Sequence, residues 1–91
     1  MTPKDIATRA ADTPAWAVID AHHLEREFTF PDFVTALAFV NHVGALAEEM
    51  DHHPDIHLSW GKVVVSVWTH SVGGLTDKDF ALARGADGLL P

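Results

Sequence analysis

PDFVTALAFVNHVGALAEEMDHHPD, residues 31–55, contains a long apolar helix and the place where that helix must stop. Phe33, Ala36, Leu37, Val40, Val43, Leu46, Ala47 and Met50 recur at steps of three and four, one wide apolar stripe over about five turns. Pro31 and Asp32 open the helix. Proline is tolerated in a first turn, and Thr29 with Asp32 three residues later has capping-box spacing. Pro54 ends it, because the residue before a proline is pushed out of the helical region. His53 therefore lies at or just past the helix end, with His52 beside it. Element ends face loops and clefts rather than the core, so two adjacent imidazoles at such an end point to a site.

Each side of this helix reads as a hairpin. On the N-terminal side, Trp16 to Ile19 is a short strand and Asp20 to His23 a turn. From Leu24 to Phe30, residues Leu24, Arg26, Phe28 and Phe30 alternate with Glu25, Glu27 and Thr29. On the C-terminal side, Ile56, Leu58 and Trp60 alternate with Asp55, His57 and Ser59. Gly61-Lys62 turns the chain, and Val63, Val65 and Val67 alternate with Val64, Ser66 and Trp68. Gly73-Gly74 makes a loop. Thr76 and Asp79 give a second capping-box spacing, which predicts a helix from Asp77 to about Ala86. Residues 4–11 read as a short helix in which only Ile6 is strongly apolar. The order (α)-β-β-α-β-β-α predicts an α+β fold: a four-stranded antiparallel sheet from two hairpins, with helices packed on one face, in a single domain over residues 1–91.

Composition narrows the function classes. At 91 residues and 47% hydrophobic, a core without staples is possible, although domains of this size are marginal alone and gain from oligomerisation. The absence of cysteine removes disulfides, thiolate catalysis and thiolate metal sites together. The start, Met1 to Asp5, lacks the basic and apolar regions of a secretory signal, and Val63-Val64-Val65 is far too short to span a bilayer. A soluble, cytoplasmic protein without a membrane partner is expected. The formal charge of −7 argues against nucleic acid as a direct partner, since phosphate binding needs a basic surface.

The groups that could carry chemistry sit at related places. Glu48 precedes His52 by one helical turn, so its carboxylate is expected to reach the His52 ring and set its tautomer. A hairpin returns the chain to where it began. The end of the Val63–Thr69 strand, with His70, is therefore expected beside His52 and His53. Imidazole, with an unperturbed pKa of about 6.5, serves as acid or base near neutrality. Plainer readings exist for each residue alone. His52 could satisfy helix-terminal carbonyls, Asp79 could simply complete the Thr76 capping box, and Trp60, Trp16 and Trp68 could be core or interface. A metal reading of His53 with His57 fails, because Pro54 breaks the helix that their spacing needs.

Taken together, Glu48, His52-His53-Pro54, Trp60, His70 and Asp79 resemble the pterin-4a-carbinolamine dehydratase family, also known as the dimerisation cofactor of a liver homeodomain factor. Asp51, the Gly74-Leu75 pair, Trp16 and the Phe28, Phe30, Phe33 cluster also look like the family, over roughly residues 14–84. The resemblance implies dehydration of a 4a-hydroxytetrahydropterin to quinonoid dihydropterin, in tetrahydrobiopterin regeneration, with no metal or organic cofactor. It implies a catalytic group of His52, His53, His70 and Glu48, with Glu48 orienting His52, and a substrate-binding group of Asp79, Pro54 and Trp60. It further implies a homodimer or homotetramer and a functional link to an aromatic amino acid hydroxylase. The alternative it carries is a non-catalytic assembly factor or transcriptional coactivator acting through protein contacts.

Overall fold

The computed structural model describes residues 1–91. Its elements are α1 (Pro3–Ala10), β1 (Ala17–Ile19), β2 (His23–Thr29), α2 (Phe33–Met50), β3 (Asp55–Ser59), β4 (Lys62–Val67), a short 3-10 turn (His70–Val72) and α3 (Asp77–Asp87). The four strands form one antiparallel sheet in the order β1-β2-β4-β3. The two hairpins thus join through β2 and β4, whose register sets Leu24 opposite Val67 and Phe28 opposite Val63. This is the α+β architecture that the alternation predicts.

Strand periodicity decides which face is covered. Leu24, Phe28, Val63, Val65 and Val67 are fully or almost fully buried, and Ile56 and Leu58 pack against them. From above come Phe39, Val43 and Ala47 of α2 and Phe80, Leu82, Ala83 and Ala86 of α3, with Ile6 of α1 at the margin. Each large aliphatic or aromatic side chain withdrawn from water in this way contributes roughly 1.5–3 kcal/mol. The opposite parity, Glu25, Glu27, Lys62 and Ser66, is polar or charged, as a solvated sheet face requires. Trp16 is core; its indole N–H donates to Asp87 Oδ1 at 2.9 Å, and Arg26 Nη1 donates to the same oxygen at 2.6 Å. No helix is long and apolar enough to cross a membrane.

Two details of α2 differ from the sequence expectation. Phe33 and Leu37 belong to the expected stripe, yet they are exposed, and Phe39, outside it, is buried. The N-terminal half of α2 is apolar almost all round, so spacing alone does not select a face. The aromatic rings of β2 do: Phe39 lies 4.6 Å from Phe28 and 5.1 Å from Phe30, centroid to centroid. The cap also differs. Thr29 stays in β2, and Asp32 is itself the N-cap, its Oδ1 accepting from the Thr35 amide at 2.9 Å and the Thr35 hydroxyl at 2.6 Å. These two bonds, the hydroxyl first, hold the Asp32 carboxyl below the usual carboxylate range.

Candidate functional site

The end of α2 positions the histidine pair. The helix stops before Pro54 is reached: Asp51 adopts φ +50°, in the left-handed region. The Asp51 amide then donates to Glu48 O at 3.2 Å and the His52 amide to Ala47 O at 3.0 Å. This pair of bonds is the Schellman arrangement, usually built on glycine at the left-handed position. It folds the chain back across the helix end, so that His52 is turned inward and His53 outward.

His52 is buried, 8% exposed, and its Nε2 lies 2.6 Å from Asp79 Oδ1. Asp79 is wholly buried in the first turn of α3. Its other oxygen accepts from the Thr76 amide at 2.8 Å and the Thr69 hydroxyl at 2.9 Å. A carboxylate surrounded by donors acts as acceptor only, which places the proton of His52 on Nε2 and leaves Nδ1 without a partner in the chain. The Thr76–Asp79 capping box is present as expected, and the same carboxylate that caps α3 also holds the imidazole.

Glu48 does not pair with His52. It hydrogen-bonds to His53 Nε2, both side chains being well exposed. The one-turn spacing to His52 is correct, but the left-handed turn at Asp51 carries His52 away from the helix face on which Glu48 stands, and His53 comes round instead.

His52, His53 and His70 line one hollow of about 260 Å³. Its walls are residues 51–53 from the end of α2, residues 68–71 from the stretch after β4, and Lys78 from α3. The expected return of the β3–β4 hairpin to its origin therefore holds: Asp55 pairs with Ser66, so the residues before β3 and after β4 are neighbours. Asp79 lies beneath this hollow and reaches it through His52. Pro54 is half-buried and stands outside the walls.

Trp60 is elsewhere. It occupies the β3–β4 turn, 68% exposed, at the other end of a five-residue strand, a span of about 17 Å. The aromatic side chain in the wall is Trp68. Asp51, Trp68, Thr69, Ser71 and Lys78 are wall residues outside the site expected from the sequence. The signal for Trp68 was its parity with Val64 and Ser66, opposite to the core-facing valines. The signal for Lys78 was its place beside Asp79.

Comparison with known proteins bears on the family and the fold. The family model for pterin 4 alpha carbinolamine dehydratase matches residues 1–89. A Rubrobacter xylanophilus protein provisionally named pterin-4-alpha-carbinolamine dehydratase is 48% identical over 94% of this chain and 80% of its own length. A relative from Alkaliphilus metalliredigens with the same provisional name is 51% identical over 79% of this chain, and the match spans 65% of that protein. Among solved structures, a transcriptional coactivator/pterin dehydratase from Brucella melitensis superposes with a TM-score of 0.94 at 29% identity, covering 100% of this chain and 98% of the other. A pterin dehydratase-like protein described as a RuBisCO assembly factor in the alpha-carboxysome shares the fold, with a TM-score of 0.70 at 23% identity over 82% of this chain and 88% of its own. With a family model matched from residue 1 to residue 89 and a relative at 48% identity, the chain belongs to the pterin 4 alpha carbinolamine dehydratase family.

Proposed function

We propose that this protein is a hydro-lyase that dehydrates a 4a-hydroxytetrahydropterin to quinonoid dihydropterin and water, the step that tetrahydrobiopterin regeneration requires. The observation that carries this reading is the meeting of three imidazoles, from the end of α2 and the stretch after β4, around one small polar hollow. In the reaction the C4a–O bond breaks, the C4a=N5 double bond forms, the hydroxyl leaves with an added proton as water, and N5 gives up its proton. Nothing beyond proton donors and acceptors is required, so the chemistry calls on no metal or organic cofactor.

The side chains suit such a division of labour. His52, held through Nε2 by Asp79, offers Nδ1 as the base for the N5 proton, and the buried carboxylate stabilises the imidazolium that results. The exposed His70 supplies the proton to the departing hydroxyl. His53, steadied by Glu48 at the rim, borders the same space. Asp79 acts on the substrate only through His52, as a positioning residue. The test is loss of the 4a-hydroxypterin ultraviolet signal with wild type, His52→Ala and His70→Ala. Each substitution should slow turnover by about 10²–10⁴-fold. Wild-type turnover no faster than buffer would sink the enzyme reading.

A homodimer or homotetramer goes with this reading. Phe33, Val34 and Leu37 leave an apolar face on α2, Val34 being 70% exposed, and a second copy of the chain is the occupant we assign to it. That same face favours the second reading, a non-catalytic assembly factor or coactivator. Wild type that fails to turn over yet holds a protein partner through α2, unaffected by His52→Ala, would select it.

A further inference from the structure

We infer that Trp68 is the surface on which the flat ring of the ligand lies, and that its indole sets the site's preference for a planar heteroaromatic; the inference rests on the pterin reading above. Trp68 is the one apolar side chain in a hollow whose other walls are imidazoles, hydroxyls, Asp51 and Lys78. A bicyclic heteroaromatic needs an apolar face as well as polar edges, and only this indole offers one. Strand parity explains its availability: Val63, Val65 and Val67 take the core face of β4, so Trp68 emerges on the other side, one residue beyond the Leu24–Val67 pair.

The indole is also held in place. His70 packs at 4.6 Å, centroid to centroid and tilted by 44°. His22 packs at 5.3 Å and His23 at 5.9 Å. His22 and His23 are in turn joined Nδ1 to Nδ1 at 3.0 Å, one ring donating and the other accepting. Their loop is pinned by two residues in the left-handed region, Asp20 at φ +52° and Ala21 at φ +54°. The His22-His23 doublet, which the proton-transfer chemistry leaves unused, thus serves to buttress Trp68. A side chain with its rotamer fixed before the ligand arrives loses less entropy on binding.

The experiment uses oxidised biopterin, which has no 4a-hydroxyl to lose, and measures its dissociation constant by calorimetry for wild type, Trp68→Phe and Trp68→Ala. Stacking of a base on an aromatic side chain predicts that Trp68→Ala weakens binding by about tenfold or more, while Trp68→Phe stays within about threefold of wild type. The indole N–H resonance of Trp68 should shift on binding while those of Trp16 and Trp60 stay in place, a change that a merely structural tryptophan would not show. Equal affinity in wild type and a folded Trp68→Ala overturns the inference and leaves the dehydratase reading standing. Failure of wild type to bind biopterin at all removes that reading and this inference with it.

Discussion

His52 Nε2 and Asp79 Oδ1 meet at 2.6 Å although 27 positions separate them, and they join the end of α2 to the start of α3. The contact is structural and chemical at once. Asp79 also accepts from Thr69 and Thr76, so its carboxylate ties together the histidine, the stretch after β4 and the α3 cap. Asp79→Ala should leave three donors without an acceptor and cost about 2–4 kcal/mol, read as a fall in the urea midpoint at unchanged slope. Asp79→Asn keeps the volume and separates the two roles. It should lose less stability than the alanine variant, yet slow dehydration by about 10²-fold or more, because the amide no longer stabilises a His52 imidazolium. A Asp79→Asn enzyme with wild-type kcat would refute this assignment.

Glu48 and His53 form the contrasting pair. Both side chains are more than half exposed, so water competes for the bond and holding two mobile groups together costs entropy. Glu48→Gln should change stability by about 1 kcal/mol at most in thermal unfolding. Its effect should appear in turnover instead, since removing the carboxylate frees the His53 ring that borders the hollow. Turnover should fall, and a kcat identical to wild type would count against a role for His53 in the reaction.

Which of these features were legible in the sequence follows from the range over which each signal acts. Local signals were readable: the valine alternation gave β4, the Thr76–Asp79 box gave α3, and the hairpin geometry brought His70 to His52 and His53. One-turn spacing points Glu48 at His52, yet a single left-handed residue, Asp51, redirects the chain. An aspartate there, unlike a glycine, gives no strong advance notice of positive φ. Trp60 enters the expected binding group through the resemblance alone; the hairpin geometry that brings His70 to the hollow leaves the β3–β4 turn, and Trp60 with it, at the far end. The face of α2 was ambiguous for a different reason: a helix apolar all round is oriented by its partners, here Phe28 and Phe30, and not by its own period.

Gly61 offers a test of packing away from the site. A Cβ at this position would lie 2.8 Å from the Phe30 carbonyl oxygen, a backbone atom that has no rotamer to escape through. The Phe30 amide also donates to Gly61 O at 2.8 Å, so the two segments are locked in register. Gly61→Ala should destabilise by about 1–3 kcal/mol in urea unfolding, the cost typical of overpacking. Biopterin affinity should be unchanged, because the turn lies at the far end of the β3–β4 hairpin from the hollow. An alanine variant as stable as wild type would mean that this approach is not a constraint.

The apolar face of α2 makes an assembly prediction. Val34 and Leu37 stand one helical turn apart by three positions and are both exposed. A charge at either would be desolvated if a second copy covers the face and harmless if nothing does. Sedimentation velocity at micromolar concentration should show an oligomer for wild type and a smaller species for Val34→Asp combined with Leu37→Asp. A monomeric wild type, or an oligomer indifferent to both substitutions, would exclude this face as the contact.

Asp32 supplies a pH dependence whose sign is fixed by its hydrogen bonds. Bonds from the Thr35 hydroxyl and amide favour the charged form and lower the folded-state pKa of Asp32 below its ordinary value. A group whose pKa is depressed on folding contributes stability above the unfolded value, near 3.9, and loses it as pH falls through the lower folded value. Thermal unfolding followed by circular dichroism should therefore show that wild type loses its advantage over Asp32→Ala as pH drops below about 4. Asp32→Asn, which keeps an acceptor oxygen at the cap but does not titrate, should differ from wild type at neutral pH and converge with it in acid. A gap between wild type and Asp32→Asn that stays constant from pH 7 down to pH 2 would mean that the carboxylate charge contributes nothing at this helix start.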